Sequence, residues 1–206
     1  MPPDLAALLA PATTALLVLE CQEGVVGAAA RLGALADAVA RHGTVGEIAR
    51  VLAAARRART HVFHCTASRR PDGAGATANC RLLAATRKSP RPLVPGSPEH
   101  AIVAPLAPAP GEWVLTRFHG LTPFHASELD QLLRNLGVRT VVATGVSVNV
   151  GVLGLVLEAV DAGYQVVVPR EAVAGTPDDY VERVLEHTLS LLATVTTVGR
   201  VEEVWR

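Results

Sequence analysis

Three positions in this chain could serve a reaction by their residue type and place: Glu20, Arg117 and Gly151. Each lies at or just beyond an apolar run that reads as a strand, and ligands of open α/β sheets bind beyond the carboxyl ends of strands. Glu20 closes the run Thr14–Leu19. A carboxyl in an apolar setting can act as general acid or base; the competing reading is an acid reaching solvent. Arg117 closes the run that begins at Trp113. A guanidinium stays charged, so it can clamp a carboxylate through two parallel hydrogen bonds but cannot shuttle a proton. Its competing reading is an ordinary surface arginine. Gly151 falls at a helix start after the strand Thr140–Thr144, where backbone N–H groups point at whatever sits at the sheet edge. Glycine inside a helix costs about 1 kcal/mol against alanine. Close packing of the helix on the sheet accounts for Gly154; for Gly151, close approach of a ligand to the backbone is an equal alternative.

Other chemistries find little support. His61 and His64 are three apart on a strand and face opposite sides. His119 and His125 flank a Gly-Leu-Thr-Pro turn, and no set of Asp, His or Cys has metal-ligand spacing. Pro71–Gly75 is a flexible turn without the Gly-Lys-Ser/Thr of a phosphate loop. The expectation is therefore no metal and no cofactor. Cys21 and Cys65 lie in strand-like runs and read as small core residues, whereas Cys80 lies in a loop.

The elements that must position these residues alternate in type. Strands are expected at Thr14–Cys21, His61–Cys65, Trp113–Thr116, Thr140–Thr144, Gln165–Val168 and Val195–Val198. Helices are expected at Val45–Arg59, Ser127–Leu136 (Ser127 as cap, Gly137 as stop), Val148–Ala162 (stopped by Gly163), and from Thr176 as cap to about Leu192. This βαβ alternation predicts one three-layer αβα domain over residues 1–206 around a mostly parallel, six-stranded, Rossmann-like sheet. A long Pro-, Gly- and Arg-rich arm at about 66–111 interrupts the pattern, and such loops are usually functional covers or interaction arms. Arg69, Asn79 and Arg87 on it are candidate substrate contacts; the competing reading is solvated loop residues.

Composition sets the outer limits. The chain has 206 residues, half of them apolar, with 19 basic and 19 acidic residues and a net charge of zero. This balance points away from nucleic acid and from membrane surfaces as partners. No apolar run reaches the roughly 18 residues that span a bilayer, and the first ten residues lack the basic region of a secretory signal. Three cysteines, an odd number, fit a reduced, cytoplasmic protein.

Taken together and in order, the strand ends resemble the isochorismatase-like hydrolase superfamily over roughly residues 12–199. Ala15–Gln22 (ALLVLECQ) is similar to the family's LLVIDMQ. Val114–Arg117 followed by Phe124–Leu129, and Val141–Val152 (VVATGVSVNVGV) with the tail Glu158–Tyr164, carry the rest of the likeness. The resemblance implies the Rossmann-like isochorismatase-like fold, a small-molecule substrate, and a homodimer or homotetramer. It aligns Glu20, Arg117 and Gly151 with the family's Asp-Lys-Cys triad, so all three positions are altered. The isochorismatases proper also resemble this chain in carrying Gly at the third position; they cleave an enol ether, which needs no nucleophilic side chain. The resemblance further implies a cis peptide at Val146–Ser147, and substrate contacts from Gln22, Val146, Ser147 and Val152.

Two readings follow. One is a hydrolase without the catalytic cysteine, acting on a small carboxylated or carbonyl-bearing metabolite, enol ethers included, with Glu20 as general acid and Arg117 as anion clamp. The alternative is a catalytically inactive member with a binding or assembly role. A third, weaker reading is a cysteine enzyme rewired onto Cys65 or Cys80.

Overall fold

The computed structural model describes residues 4–30 and 32–206. Its centre is a sheet of parallel strands: β1 (Thr14–Leu19), β2 (His61–Ala67), β3 (Trp113–Arg117), β4 (Thr140–Val146), β5 (Gln165–Pro169), β6 (Val173–Ala174) and β7 (Thr194–Thr196). The order is β3-β2-β1-β4-β5-β7, with β6 beside the end of β4. The six expected strands are all present, and the two-residue β6 is an addition too short to leave a periodic signal. The chain winds outward from β1 to one edge, then returns to β4 and winds to the other. The switch point, where α/β sheets open a crevice, lies between β1 and β4.

The helices are α1 (Leu5–Leu8), α2 (Gly33–Arg41), α3 (Thr44–Ala58), α4 (Arg81–Arg87), α5 (Pro123–Ala126), α6 (Leu129–Asn135), α7 (Leu153–Asp161), α8 (Asp178–Val184), α9 (Ser190–Leu192) and α10 (Val198–Val204). They cover the sheet on both faces. Alternate residues of β1 point to opposite layers, as the pleat requires. Leu16 and Val18 pack with Ile48, Leu52, Val201 and Trp205 on one side; Leu17 and Leu19 pack with Phe63, Leu133, Leu155 and Val156 on the other.

Several local expectations shift. The helix expected from Val148 begins as a wide π-helical turn, Val148–Val152, before α7. Thr176 is not a cap: α8 starts after Pro177, and the Thr176–Pro177 peptide is cis. Ser127 is displaced by one as well: α6 is capped at Glu128, although the Ser127 Oγ accepts from the Leu129 N–H at 3.2 Å. Gly154 is close-packed, but against the turn after β3 rather than the sheet, since a Cβ there would lie 2.4 Å from the Thr122 methyl. The 66–111 segment is no free arm. It holds α4, buries Leu93, Val103 and Leu106, and bridges back to Gln22 at Ile102. Among the described residues no helix is long and apolar enough to cross a membrane.

Away from the switch point, Glu112 joins Arg56 and His64 at 2.7 and 2.9 Å. Burial pushes the Glu112 carboxyl up, but Arg56, the Ala109 N–H and His64 outweigh it and hold it down at about 2. A carboxyl held below its ordinary 4.5 stabilises the fold above that value and loses the contribution as pH falls towards 2. The stability gap between the native chain and Glu112→Gln, from urea midpoints, is expected to be full at neutral pH and to close on acidification.

At Gly145 (φ +104) an added Cβ would lie 2.1 Å from the Leu19 carbonyl oxygen, so only glycine lets β4 close on β1. Gly137 shares a positive φ of +70 but faces open space. Urea unfolding is expected to show Gly137→Ala costing about 1 kcal/mol and Gly145→Ala about 3 kcal/mol or more.

Candidate active site

Four strand ends and the folded-back arm enclose a cavity of about 570 Å³ at the switch point. Glu20 follows β1, Ala67 ends β2, Arg117 ends β3 and Ser147 follows β4, and all four line it. Two of the residues that sequence placed at strand ends meet directly: the Arg117 Nη2 donates to Glu20 Oε1. Their side chains are 6% and 19% exposed, so this is a nearly dry ion pair. Arg117 Nε also donates to the Gly120 carbonyl at 3.5 Å. Its Nη1 is buried and has no partner. A guanidinium prefers two parallel bonds to an anion, and this donor is left without one.

Glu20 is held by its backbone. Its φ is +51, a left-handed conformation that costs a non-glycine residue about 1 kcal/mol or more. Strained residues of this kind cluster at functional sites. The turn is pinned from both sides: the Glu20 N–H donates to the Cys65 carbonyl at 2.9 Å, and the Gln22 N–H to the Glu20 carbonyl at 2.8 Å.

The remaining expected residues divide. Ser147, Gly151, Arg69 and Arg87 line the cavity. Gly151 is tight, since a Cβ would lie 3.1 Å from both Leu19 and the Val146 carbonyl oxygen. The Val146–Ser147 peptide is cis. Arg69 reaches across the arm to donate to the Arg87 carbonyl at 2.7 Å. Gln22, Val146 and Val152 lie elsewhere. Gln22 is fully buried, and its amide is consumed by Ala67 (both backbone groups) and the His100 carbonyl, at 2.8 to 3.0 Å. Val146 and Val152 are core side chains, and the Val152 N–H is spent on the Ser147 carbonyl at 2.9 Å. Asn79 faces a separate cavity of about 510 Å³ beside His125 and Glu158.

Sequence reading missed Val25, Leu32 and Leu35, which form one wall, and Phe118, Asn149 and Thr176. The segment after β1 carried a usable signal, because a loop following a strand must leave from the edge where ligands bind. Asn149 stood two residues before Gly151 in the motif but was not singled out.

This arrangement of a carboxyl, a guanidinium and a helix start at the β1/β4 switch point can be set beside known proteins. Residues 14–200 match the Isochorismatase domain family. The chain belongs to this family. Phenazine biosynthesis protein PhzD1 of Pseudomonas aeruginosa is 33% identical over 105 residues, 51% of this chain and 50% of that protein. The match thus spans about half the length of that curated relative. An isochorismatase family protein from Desulfovibrio vulgaris is 29% identical, with a TM-score of 0.79 over 93% of this chain and 97% of that one. A cysteine hydrolase from Pseudomonas syringae pv. phaseolicola superposes with a TM-score of 0.81 over 100% of this chain and 95% of that one; at 23% identity it shows the fold alone.

None of the three cysteines lines this cavity. Cys21 and Cys65 are buried. Burial, with Glu20 adding to it, pushes Cys21 up to about 12. Burial also pushes Cys65 up to about 12, Arg117 opposing and Glu20 reinforcing. Only a thiolate is a competent nucleophile. Cys80 is exposed and faces the second cavity. Among the described residues, no group of three or more His, Cys, Asp or Glu could hold a metal ion. Ellman's reagent is expected to modify one thiol in the native protein and the other two only after unfolding. Rapid native modification of a second thiol would reopen a cysteine-based route.

Proposed function

We propose that this family member is a thiol-free hydrolase of a small carboxylated metabolite, with an enol ether as the bond it cleaves. The observation that carries this reading is the unpartnered, buried Nη1 of Arg117 beside Glu20 on the floor of the cavity. A substrate carboxylate on Nη1 would set a second negative charge near Glu20. In this reading Glu20 enters the reaction as the carboxylic acid and serves as the proton donor.

The chemistry then balances without a covalent intermediate. Glu20 gives its proton to the terminal vinyl carbon, and the vinyl π electrons form the new C–H bond. The ether carbon becomes an oxocarbenium, to which water adds. The added water loses a proton to Glu20; Glu20 then protonates the ether oxygen as the hemiketal C–O bond breaks and takes up the hydroxyl proton, releasing a ketone and an alcohol. Arg117 holds the substrate carboxylate throughout. Ser147 and Gly151 supply the cavity wall over the reacting end, and Arg69 and Arg87 are the arm's substrate contacts. Assembly as a homodimer or homotetramer in the cytoplasm belongs to the same proposal.

The direct Glu20–Arg117 contact favours a second reading, in which the pair is a structural clasp and the protein binds without turnover. The test is turnover of isochorismate and a panel of enol ethers and amides by the native chain and by Glu20→Gln, with unfolding temperatures for both. The expected result is enol-ether turnover that falls about a hundredfold or more in the variant. No turnover of any panel member by a folded native chain would replace the hydrolase reading with the binding one.

A further inference from the structure

The proposed reading leaves the substrate's body open, and the cavity walls bear on it. Val25, Leu32 and Leu35, Leu82 and Leu83 of α4, Leu93, and Phe118 and Leu121 all line the cavity. These come from four separate parts of the chain, so the apolar lining is not a by-product of one amphipathic helix. Leu32 and Phe118 are 43% and 45% exposed, although both border the cavity. Large apolar side chains left open around a concave site mark a ligand surface. Within this lining Arg117, paired with Glu20, and Arg69 each keep a buried N–H without a partner.

We infer that the site takes carboxylic acids with a hydrocarbon body, an alkyl chain or an unsubstituted ring, in place of polyhydroxylated acids. The inference rests on the proposed reading for the carboxylate at Arg117 and goes beyond it in the body it assigns. Polar side chains such as Arg69, Ser147 and Asn149 also line the cavity, but most of its lining is apolar, so hydroxyls spread along a body would leave water and largely meet leucine side chains, at a net cost. Methylenes there would each remove apolar surface from water on both partners.

The test is direct binding by isothermal titration calorimetry on the intact chain, with acetate, butyrate, hexanoate and gluconate as probes. Gluconate has the carbon chain of hexanoate with hydroxyls added. Affinity is expected to rise about fourfold per added methylene, the equivalent of about 0.8 kcal/mol each. Hexanoate is expected to bind at least tenfold more tightly than gluconate, and hexanol to lose most of the hexanoate affinity for want of an anion. Leu83→Asn, at a half-buried position of the cavity lining, is expected to weaken hexanoate about tenfold and so to flatten the series from acetate to hexanoate. A flat series from acetate to hexanoate, or gluconate binding as tightly as hexanoate, overturns the inference. Because binding is read without turnover, the two ideas fail separately. Steep hexanoate binding with no enol-ether hydrolysis keeps the ligand class and removes the hydrolase; hydrolysis with a flat series does the reverse.

Discussion

The site depends on one charge pair reaching across a strand. β1 and β3 flank β2, so their ends stand about 10 Å apart. Arg117 spans that distance to meet Glu20, with the end of β2 beneath the contact. Neither group could be left alone there, because an unpaired charge this dry would cost several kcal/mol. Paired, they neutralise each other, while one donor, Nη1, stays buried without a partner. The same pair sets the field felt by Cys65, where Arg117 and Glu20 act in opposite directions and burial prevails.

Around the pair, apparently separate features turn out to be supports. The left-handed turn at Glu20 aims its carboxyl over the sheet edge, and Gln22 fastens that turn to β2 and to the arm through the carbonyls of Ala67 and His100. Gly145 brings β4 against β1 at the switch point, and Gly154 admits Thr122, which seats the turn following Arg117. The arm returns to the same domain and closes the cavity with α4. Three glycine or amide positions that could pass for ligand contacts therefore act by fixing backbone.

The cavity that results combines two environments. A nearly dry ion pair lies beside a lining that is mostly apolar, with polar side chains such as Arg69 and Asn149 among it.

Much of this was legible in the sequence. Apolar runs of strand length separated by helical periods required a doubly covered parallel sheet, since a central strand buried on both faces admits little else. The strand-end rule then singled out Glu20 and Arg117 before any distance was known. Pairwise facts were not legible. Nothing in the spacing of residues 20 and 117 says that their side chains touch, that the free N–H is Nη1, or that Gln22 spends its amide on backbone. The short β6, the wide turn at Val148–Val152 and the fold-back of the arm were hidden for the same reason. The sequence by itself determined the layers and which residues stand at the sheet's carboxyl edge, because burial acts on local patterns. Only the tertiary structure decided which of them share a cavity and which serve as supports, because hydrogen bonds and close contacts are made between residues far apart in the chain.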